Sequence, residues 1–284
     1  MEINTRTQLC GVLGNPVEHS LSPAIHNAAF QKLGLNYVYL AFRVIDLPAA
    51  IGGLRALGNV RGLSVTIPHK VAIIPYLDDV ESTAKHIGSV NTVVIENGRL
   101  IGYNTDASGA LRALTDAGVS VKGRRVTLLG SGGAARAVAF ALAAEGAPER
   151  LTILGIDEAE ASGLVRDLQA KAQSSVEQGP LNDESLRLLL PYTDVLIHCT
   201  PVGMHPNVAR SCVPPALLTS SLTVMDIVYN PLETQLLKEA KEAGCRTIRG
   251  LDMFLNQAVL QFELWTGCPA PADVMCTILE THFS

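Results

Sequence analysis

The chain has 284 residues, of which 48% are hydrophobic and 17% are charged, and its formal net charge at pH 7 is −5. This composition is sufficient for two domain cores and excludes the basic surface typical of nucleic-acid-binding proteins. No apolar run has the length of a signal peptide or membrane span, and the six scattered cysteines form no C-x-x-C pair. We therefore expect a cytoplasmic protein without metal, nucleic-acid or membrane partners.

Apolar, β-rich runs alternate with Ala- and Leu-rich segments along the chain, which predicts a parallel α/β protein. In the first part of the chain, the predicted strands are Gln8–Leu13, Tyr37–Arg43, Gly62–Val65 and Thr92–Glu96. The predicted helices there are Pro23–Leu33, Leu47–Leu57 and Lys70–Pro75. We assign residues 1–106 to a first, substrate-binding α/β domain.

A second pattern begins at Arg125, where a strand, a glycine turn, a helix and another strand follow one another. This βαβ order predicts a doubly wound Rossmann domain over residues 107–251. Its predicted strands are Val126–Gly130, Leu151–Ile156, Asp194–His198, Leu222–Ile227 and Cys245–Ile248. Residues 252–284 are predicted to form helices that pack back on the first domain, and Ala172–Pro180 is predicted to be a polar surface segment.

The glycine turn has the features of a phosphate-binding motif. Gly130, Gly132 and Ala135 fit G-x-G-x-x-G/A between a strand and a helix. The first glycine permits the tight turn, the second permits close approach of a pyrophosphate, and the helix N-terminus favours an anion. A glycine turn between any strand and helix is the alternative, but the complete strand–turn–helix order favours dinucleotide binding.

Candidate polar residues occur in short motifs of the first domain. Ser20 and Ser22 precede Pro23, where Ser22 fits a helix N-cap and either hydroxyl fits a hydroxylated ligand. Lys70 is predicted at a helix start, where a cation opposes the helix dipole and therefore needs a carboxylate or ligand partner. The alternative is that Lys70 is a solvated surface lysine. Asn91 and Asp106 lie at positions where Asn and Asp are often only turn residues.

Taken together, these motifs resemble the shikimate dehydrogenase family, which includes quinate/shikimate dehydrogenases. The resemblance extends from about Leu9 to the C-terminus. It rests on the ordered strings GNPVEHSLSPAIHN, VTIPHK, GSVNTVV, GYNTD, GSGGAARA, CTPVGM, DIVYNPLET and NQAVLQFELWTG.

The resemblance implies a substrate domain and a Rossmann domain with a nicotinamide cofactor in the cleft between them. It places the catalytic pair at Lys70 and Asp106. The implied substrate-binding residues are Ser20, Ser22, Thr66, Asn91, Tyr229 and Gln257. The implied cofactor-binding residues are Gly130, Ser131, Gly132, Gly133, Ala134, Ile227 and Gly250. Hydroxyl and amide side chains suit a polyhydroxy ring carboxylate, and a Lys–Asp pair suits proton transfer from a secondary alcohol.

The sequence departs from the family pattern at two positions. The family usually has Asn where this chain has His198, which leaves the hydrogen bonding at that strand end open. Asp157 lies 22 residues after Ala135 (157 − 135), near the roughly 20-residue spacing of a ribose-binding carboxylate. NADP-using members typically place an Asn-Arg-Thr-like motif there, but this chain has Gly155, Ile156 and Asp157. We therefore predict NAD rather than NADP, with helix capping as the other role of Asp157.

The predicted function is interconversion of 3-dehydroshikimate and shikimate. Quinate is an additional candidate substrate, and the S-x-S arrangement of Ser20 and Ser22 favours shikimate. Two alternatives remain. The first is a folate-linked methylene dehydrogenase, which fits the serine pair and the NTD motif less well. The second is a cofactor-binding regulator without activity, against which the presence of both Lys70 and Asp106 argues. The expected small-molecule partner is shikimate-like, and the expected assembly is a monomer or homodimer.

Overall fold

The computed structural model describes residues 2–169 and 175–283. The chain divides into two compact units, the first formed by Met1–Thr105 with Gln257–Ser284 and the second by Asp106–Asn256. Within the described ranges, no helix has the length and apolar character needed to cross a membrane.

The first unit is built on a mixed sheet. Its strands are β1 (Gln8–Gly14), β2 (Tyr37–Arg43), β3 (Val60–Val65), β4 (Asp79–Val80), β5 (Thr92–Glu96) and β6 (Arg99–Tyr103), in the order β2-β1-β3-β5-β6-β4. The helices of its N-terminal part are α1 (Ser22–Lys32), α2 (Leu47–Ala56), α3 (His69–Ala72) and α4 (Ser82–Ile87). The buried core includes Leu13, Leu63, Ile73, Val93 and Leu100.

This sheet differs from the predicted parallel pattern, because β5 is antiparallel to both β3 and β6. Asn97 and Gly98 connect β5 to β6 with positive φ angles of 51° and 76°. Two successive positive φ values suit the tight turn of a hairpin, for which Asn-Gly is a favoured sequence. The predicted strands do not include β6, because the Asn97-Gly98 turn after β5 was not used in the prediction.

The second unit contains a parallel sheet of the predicted doubly wound type. Its strands are β7 (Arg125–Leu129), β8 (Arg150–Gly155), β9 (Ser175–Pro180), β10 (Val195–His198), β11 (Thr223–Asp226) and β12 (Arg246–Ile248), in the order β12-β11-β10-β7-β8-β9. Its helices are α5 (Thr105–Asp116), α6 (Gly133–Ala141), α7 (Glu158–Gln169), α8 (Asp183–Leu189) and α9 (Gln235–Glu242), and α10 (Gly250–Thr266) begins in this unit. The strand order reverses between β7 and β10, where dinucleotides bind in such sheets.

The polar surface segment predicted over 172–180 agrees with the exposure of residues 175–180, among which only Val176 is buried. The prediction did not include a strand there, but these residues form the edge strand β9 beside β8. A polar edge strand lacks the apolar, β-rich run from which the other strands were predicted. Residues 172–174 lie outside the described part of the chain.

The C-terminal helices complete the first unit, which confirms that they pack back on the substrate domain. They are the second half of α10, from Gln257, and α11 (Ala272–Phe283). Trp265 of α10 donates a hydrogen bond from its indole nitrogen to the Val93 carbonyl at 3.1 Å. A Cβ on Gly62 would lie 2.0 Å from the Trp265 ring, so only glycine permits this close packing against β3.

His26 of α1 is fully buried among aromatic rings of the first unit. Its ring stacks on Tyr39 with centroids 4.6 Å apart and an interplanar angle of 13°. Neither ring nitrogen has a hydrogen-bond partner among the described residues. Burial without a compensating charge lowers the pKa of His26 to about 3. The folded protein therefore holds this imidazole neutral in moderately acidic solution.

We predict that His26 makes the fold acid-sensitive. Between pH 6.5 and about 3, the unfolded chain binds a proton that the folded chain excludes, so the free energy of unfolding falls as pH falls through this window. Replacing His26 with Phe should keep the stacked ring and remove this dependence. Urea unfolding at pH 7 and pH 5 should show a stability difference about 2 kcal/mol smaller in His26→Phe than in wild type.

The exposed His86 provides the control for this experiment. The variant His86→Phe should keep the wild-type dependence of stability on pH. An unchanged dependence in His26→Phe would contradict the account of the buried imidazole.

Candidate active site

The ends of β1 and β3 bring two motifs of the first unit together. These strands are parallel neighbours, and the Thr66 N–H donates to the Leu13 carbonyl at 2.9 Å. A Cβ on Gly14 would lie 2.4 Å from Thr66 Cγ2, so glycine at the end of β1 makes room for Thr66. The Val65 N–H donates to the Asn91 carbonyl at 2.8 Å. Thr66 and Asn91 therefore lie at the same edge of the sheet.

The Asn91 side chain has a more definite role than that of a turn residue. It is 2% exposed, and its Oδ1 accepts hydrogen bonds from the Thr105 N–H at 2.7 Å and the Thr92 hydroxyl at 2.8 Å. Its Nδ2 donates to Thr105 Oγ1 at 3.0 Å. Asn91 thus fixes Thr105, the first residue of α5, immediately before the candidate catalytic residue Asp106.

A continuous set of hydrogen bonds extends from Asn91 through the core of the first unit. The Tyr39 hydroxyl donates to Ser64 Oγ, and the Ser64 hydroxyl donates to Gln261 Oε1, both at 2.7 Å. Gln261 Nε2 donates to Thr92 Oγ1 at 2.8 Å and to the Asn91 carbonyl at 3.2 Å. We call this set the buried polar network. Its hydrogen-bonded members are Tyr39, Ser64, Asn91, Thr92, Thr105 and Gln261, and the Ser22 side chain adjoins it through an interaction with Tyr39.

Sequence reasoning did not identify Tyr39, Ser64 or Gln261 as supporting residues. Ser64 begins the SVTIPHK motif, and Gln261 lies one helical turn after Gln257 in NQAVLQFELWTG. The i,i+4 spacing places the side chains of Gln257 and Gln261 on the same face of α10. The buried Gln257 therefore lies on the helix face that contacts β3 and β5.

Helix capping, the alternative role considered for Ser22, is not seen in the structure. The helix α1 begins at Ser22, and the N-cap residue Leu21 makes no side-chain cap hydrogen bond. Ser22 is buried, and its side chain interacts with the Tyr39 hydroxyl. The Ser22 N–H instead donates to Ser20 Oγ at 3.3 Å. The Ser22 hydroxyl thus adjoins the buried polar network, with Ser20 beside it.

Lys70 lies in the short helix α3, as the sequence predicted, and is half-buried. Its backbone carbonyl accepts from the Val90 N–H at 2.8 Å, which ties α3 to the segment that carries Asn91. The neighbouring His69 is buried, and its Nε2 contacts the Val44 carbonyl at 3.1 Å. The position of the Lys70 backbone is therefore fixed from both sides.

The second unit contains the predicted phosphate turn between β7 and α6. Gly130 has a φ of 109°, and a Cβ there would lie 3.0 Å from the Cys199 carbonyl oxygen, so the position requires glycine. Gly132 is the N-cap of α6 and provides no side-chain cap, and nothing lies within 4 Å of a Cβ on Gly132 or Gly133. The first N–H groups of α6, including that of Ala134, are thus suited to binding an anion. The Ser131 hydroxyl donates to Glu160.

Three further candidate residues lie after β11. A Cβ on Gly250 would lie 2.5 Å from the backbone oxygens of Ile227 and Val228, so the start of α10 packs directly on this segment. The half-buried Tyr229 stacks on Phe254 with centroids 4.7 Å apart, and burial raises the pKa of its hydroxyl. The structure thus brings Ile227 and Gly250 together.

Asp157 follows β8 and caps α7. Its Oδ1 accepts a hydrogen bond from the Glu160 N–H at 2.9 Å. Asp157 is exposed, and the preceding Ile156 is 90% exposed. The capping role considered from the sequence is therefore present, and it leaves the second carboxylate oxygen available for another donor.

His198, at the end of β10, is 1% exposed and hydrogen-bonded through both ring nitrogens. Nδ1 lies 2.8 Å from Asp226 Oδ1, and Nε2 contacts the Thr200 hydroxyl. Burial opposes the charged imidazolium, but the hydrogen bond and negative charge of Asp226 outweigh it, and the pKa of His198 rises to about 10. This buried pair is the structural consequence of the departure from Asn.

Comparison with known proteins identifies the family. The family model of the "Shikimate dehydrogenase substrate binding domain" matches residues 12–93. The family model of the "Shikimate 5'-dehydrogenase C-terminal domain" matches residues 250–275. Curated shikimate dehydrogenases (NADP(+)) of Desulforamulus reducens and Moorella thermoacetica are 45% and 47% identical to this chain. The alignments cover 98% and 99% of this chain, and 96% and 95% of the relatives.

A solved structure agrees with these sequence matches. Shikimate 5-dehydrogenase from Listeria monocytogenes, in complex with shikimate and NAD, superposes with a TM-score of 0.92 at 39% identity, covering 98% of each chain. These findings reject a folate-linked dehydrogenase as the family assignment. The chain belongs to the shikimate dehydrogenase family of nicotinamide-dependent oxidoreductases.

Proposed function

We propose that this protein interconverts shikimate and 3-dehydroshikimate with a nicotinamide cofactor. The observation that carries the proposal is the buried polar network of the first unit, which holds Ser22 and Asn91 and ends at the strand edge where Thr66 lies. Hydroxyl and amide groups held in fixed positions suit a ring with several hydroxyls, because each substrate hydroxyl needs a partner once it leaves water.

The reaction requires a hydride acceptor and a group that handles the hydroxyl proton. The nicotinamide ring supplies the hydride acceptor when the cofactor is bound. Lys70 removes the proton from the alcohol during oxidation and returns it during reduction. Asp106 acts with Lys70 as a coupled acid–base pair.

The remaining polar candidates bind the substrate ring. These candidates are Ser20, Ser22, Thr66, Asn91, Tyr229 and Gln257. The Ser20 and Ser22 hydroxyls favour shikimate over quinate as the substrate. The interaction of Ser22 with Tyr39 and the hydrogen bond that the Ser22 N–H donates to Ser20 Oγ hold this pair in place.

The second unit fits a dinucleotide. The open phosphate turn Gly130–Ala134 and the uncapped start of α6 suit the pyrophosphate, while Ile227 and Gly250 line the nicotinamide side. Asp157 lies at the end of β8, where a carboxylate hydrogen-bonds the adenosine ribose in NAD-binding proteins.

We further propose that NAD is preferred to NADP. The Asp157 carboxylate is followed by exposed Glu158 and Glu160, and Ile156 occupies the position of the arginine in the NADP-type motif. Arg136 forms an ion pair with Asp167 at 2.7 Å. A ribose 2′-phosphate would therefore meet negative charge. The curated relatives are named for NADP(+), so the proposed preference departs from their names and rests on the strand-end residues of this chain alone.

We predict that Lys70→Ala abolishes most shikimate oxidation without loss of cofactor binding. Removal of a positioned acid–base group typically lowers the rate by about 10²–10⁴-fold. Asp106→Asn should also lower the maximal rate, and the double variant should be little worse than the slower single variant, because groups that act together are not additive. Initial rates with shikimate and equilibrium titration with the cofactor measure the two properties separately. Wild-type turnover in Lys70→Ala, or multiplicative losses in the double variant, would contradict the assignment.

We predict that Gln261→Leu loosens the substrate site. The change leaves Ser64, Thr92 and the Asn91 carbonyl without the partner that Gln261 provides, at a cost in stability of about 1–3 kcal/mol. Displacement of Asn91 should lower kcat/KM for shikimate by up to about 100-fold while the cofactor KM stays near wild type. The exposed Gln178 gives the control variant Gln178→Leu, which should change neither property. Equal losses in the two variants would refute the supporting role of the network.

We predict that Asp157→Asn shifts cofactor preference toward NADP. Asn is also a good N-cap, so the substitution keeps the hydrogen bond to the Glu160 N–H and removes the charge. The ratio of kcat/KM for NADP to that for NAD should rise by about tenfold, the equivalent of about 1.4 kcal/mol. Asp273→Asn removes an exposed carboxylate from the first turn of α11 and should leave the ratio unchanged. A constant ratio in Asp157→Asn would mean that Asp157 serves only as a cap.

A further inference from the structure

The hydrogen bonds around His198 define where its protons lie. Asp226 is fully buried, and in addition to the contact with His198 it accepts from the Thr234 hydroxyl at 2.6 Å and the Val228 N–H at 3.0 Å. Both oxygens of Asp226 act as acceptors in these contacts, so the contact with His198 places a proton on Nδ1.

The second ring nitrogen determines what the Thr200 hydroxyl can do. If His198 is neutral with its proton on Nδ1, Nε2 is an acceptor and the Thr200 hydroxyl must donate to it. If His198 carries both protons, Nε2–H donates to Thr200 Oγ1, and the hydroxyl proton of Thr200 points to another acceptor. The charge of His198 therefore sets the direction in which Thr200 donates.

Thr200 lies at the point of the second unit where a dinucleotide is expected. β10 pairs with β7 where the strand order reverses, and a Cβ on Gly130 of the phosphate turn would lie 3.2 Å from Thr200 Cγ2. β8, whose end carries Asp157, flanks β7 on the adenosine side. β10 flanks β7 on the other side and belongs to the half of the sheet that binds the second mononucleotide.

We propose that His198 is a positioning residue that stays doubly protonated and thereby makes Thr200 a hydrogen-bond donor to an oxygen on the nicotinamide half of the bound dinucleotide. The inference rests on the dinucleotide binding of the proposed function and adds a role for a residue that differs from the family pattern. The raised pKa of His198, about 10, agrees with a charged imidazole at neutral pH.

Other ionisable groups of the described chain lie near His198. Asp226 approaches from β11, and the Cys212 thiol approaches from the segment after β10. The adjacent Cys199 is half-buried, and desolvation raises the pKa of its thiol, so it adds no charge near neutral pH. Thr200 Oγ1 also accepts from the Val202 N–H at 3.3 Å, which leaves its own proton as the group that can face a ligand.

The protonation state can be measured directly in the wild-type protein. At pH 8, ¹⁵N-detected NMR of the histidine side chains should show one imidazole with both nitrogens protonated, and His198→Asn should remove this signal. In Asp226→Asn, the same histidine should become neutral. A neutral His198 at pH 8 in the wild-type protein would overturn the proposal, whether or not any variant folds.

The consequence for the cofactor is tested by equilibrium titration of the full chain with NAD⁺ and NADP⁺, which does not depend on shikimate turnover. Thr200→Val should weaken both cofactors by about three- to tenfold, the range expected for one lost hydrogen bond, while Thr200→Ser should bind like wild type. Asp226→Asn should weaken binding to a similar extent in the wild-type background and cause no further loss in Thr200→Val. Equal losses in both backgrounds, or full binding by Thr200→Val, would overturn the role of Thr200. Failure of both cofactors to bind the wild-type protein would instead refute the dinucleotide site of the proposed function.

Discussion

The hydrogen bonds of Asn91 are the interaction on which the first unit most depends. One buried amide joins the start of β5 to the first residue of α5, and Gln261 joins the same strand to α10. In a buried environment each unpaired polar group costs about 1–3 kcal/mol, so these groups are confined to the few arrangements that satisfy all of them. Side chains from distant parts of the sequence are therefore held in one rigid arrangement, which supports the candidate substrate residues.

The second unit depends on close backbone approach. Gly130 permits the turn between β7 and α6 to lie against the end of β10, and Gly250 permits α10 to begin directly on the segment after β11. A side chain at either position would displace the strand ends that it faces. The start of α6 and the buried His198–Asp226 pair are therefore held at one edge of the parallel sheet, where the ends of β7, β10 and β11 meet.

The sequence predicted those features that depend on local pattern. The bounds of β2 and β5, the glycine turn after β7 and the helical position of Lys70 follow from apolar, β-rich runs, glycine spacing and a helix start. It did not predict the supporting hydrogen bonds, because Ser64 and Gln261 are 197 residues apart. The orientation of Ser22 was also missed, since local capping preference competes there with a partner on β2. The edge strand β9 was missed because its polar residues lack the alternation of a half-buried strand.

The central claim is that hydride passes between the carbinol carbon of shikimate and the nicotinamide ring. Incubation of the protein with shikimate deuterated at C3 and oxidised cofactor, followed by mass spectrometry of the reduced cofactor, tests this claim most directly. The account predicts one deuterium in each reduced nicotinamide and equimolar 3-dehydroshikimate. Cofactor that stays unreduced although it binds, or reduced cofactor without deuterium, would contradict it.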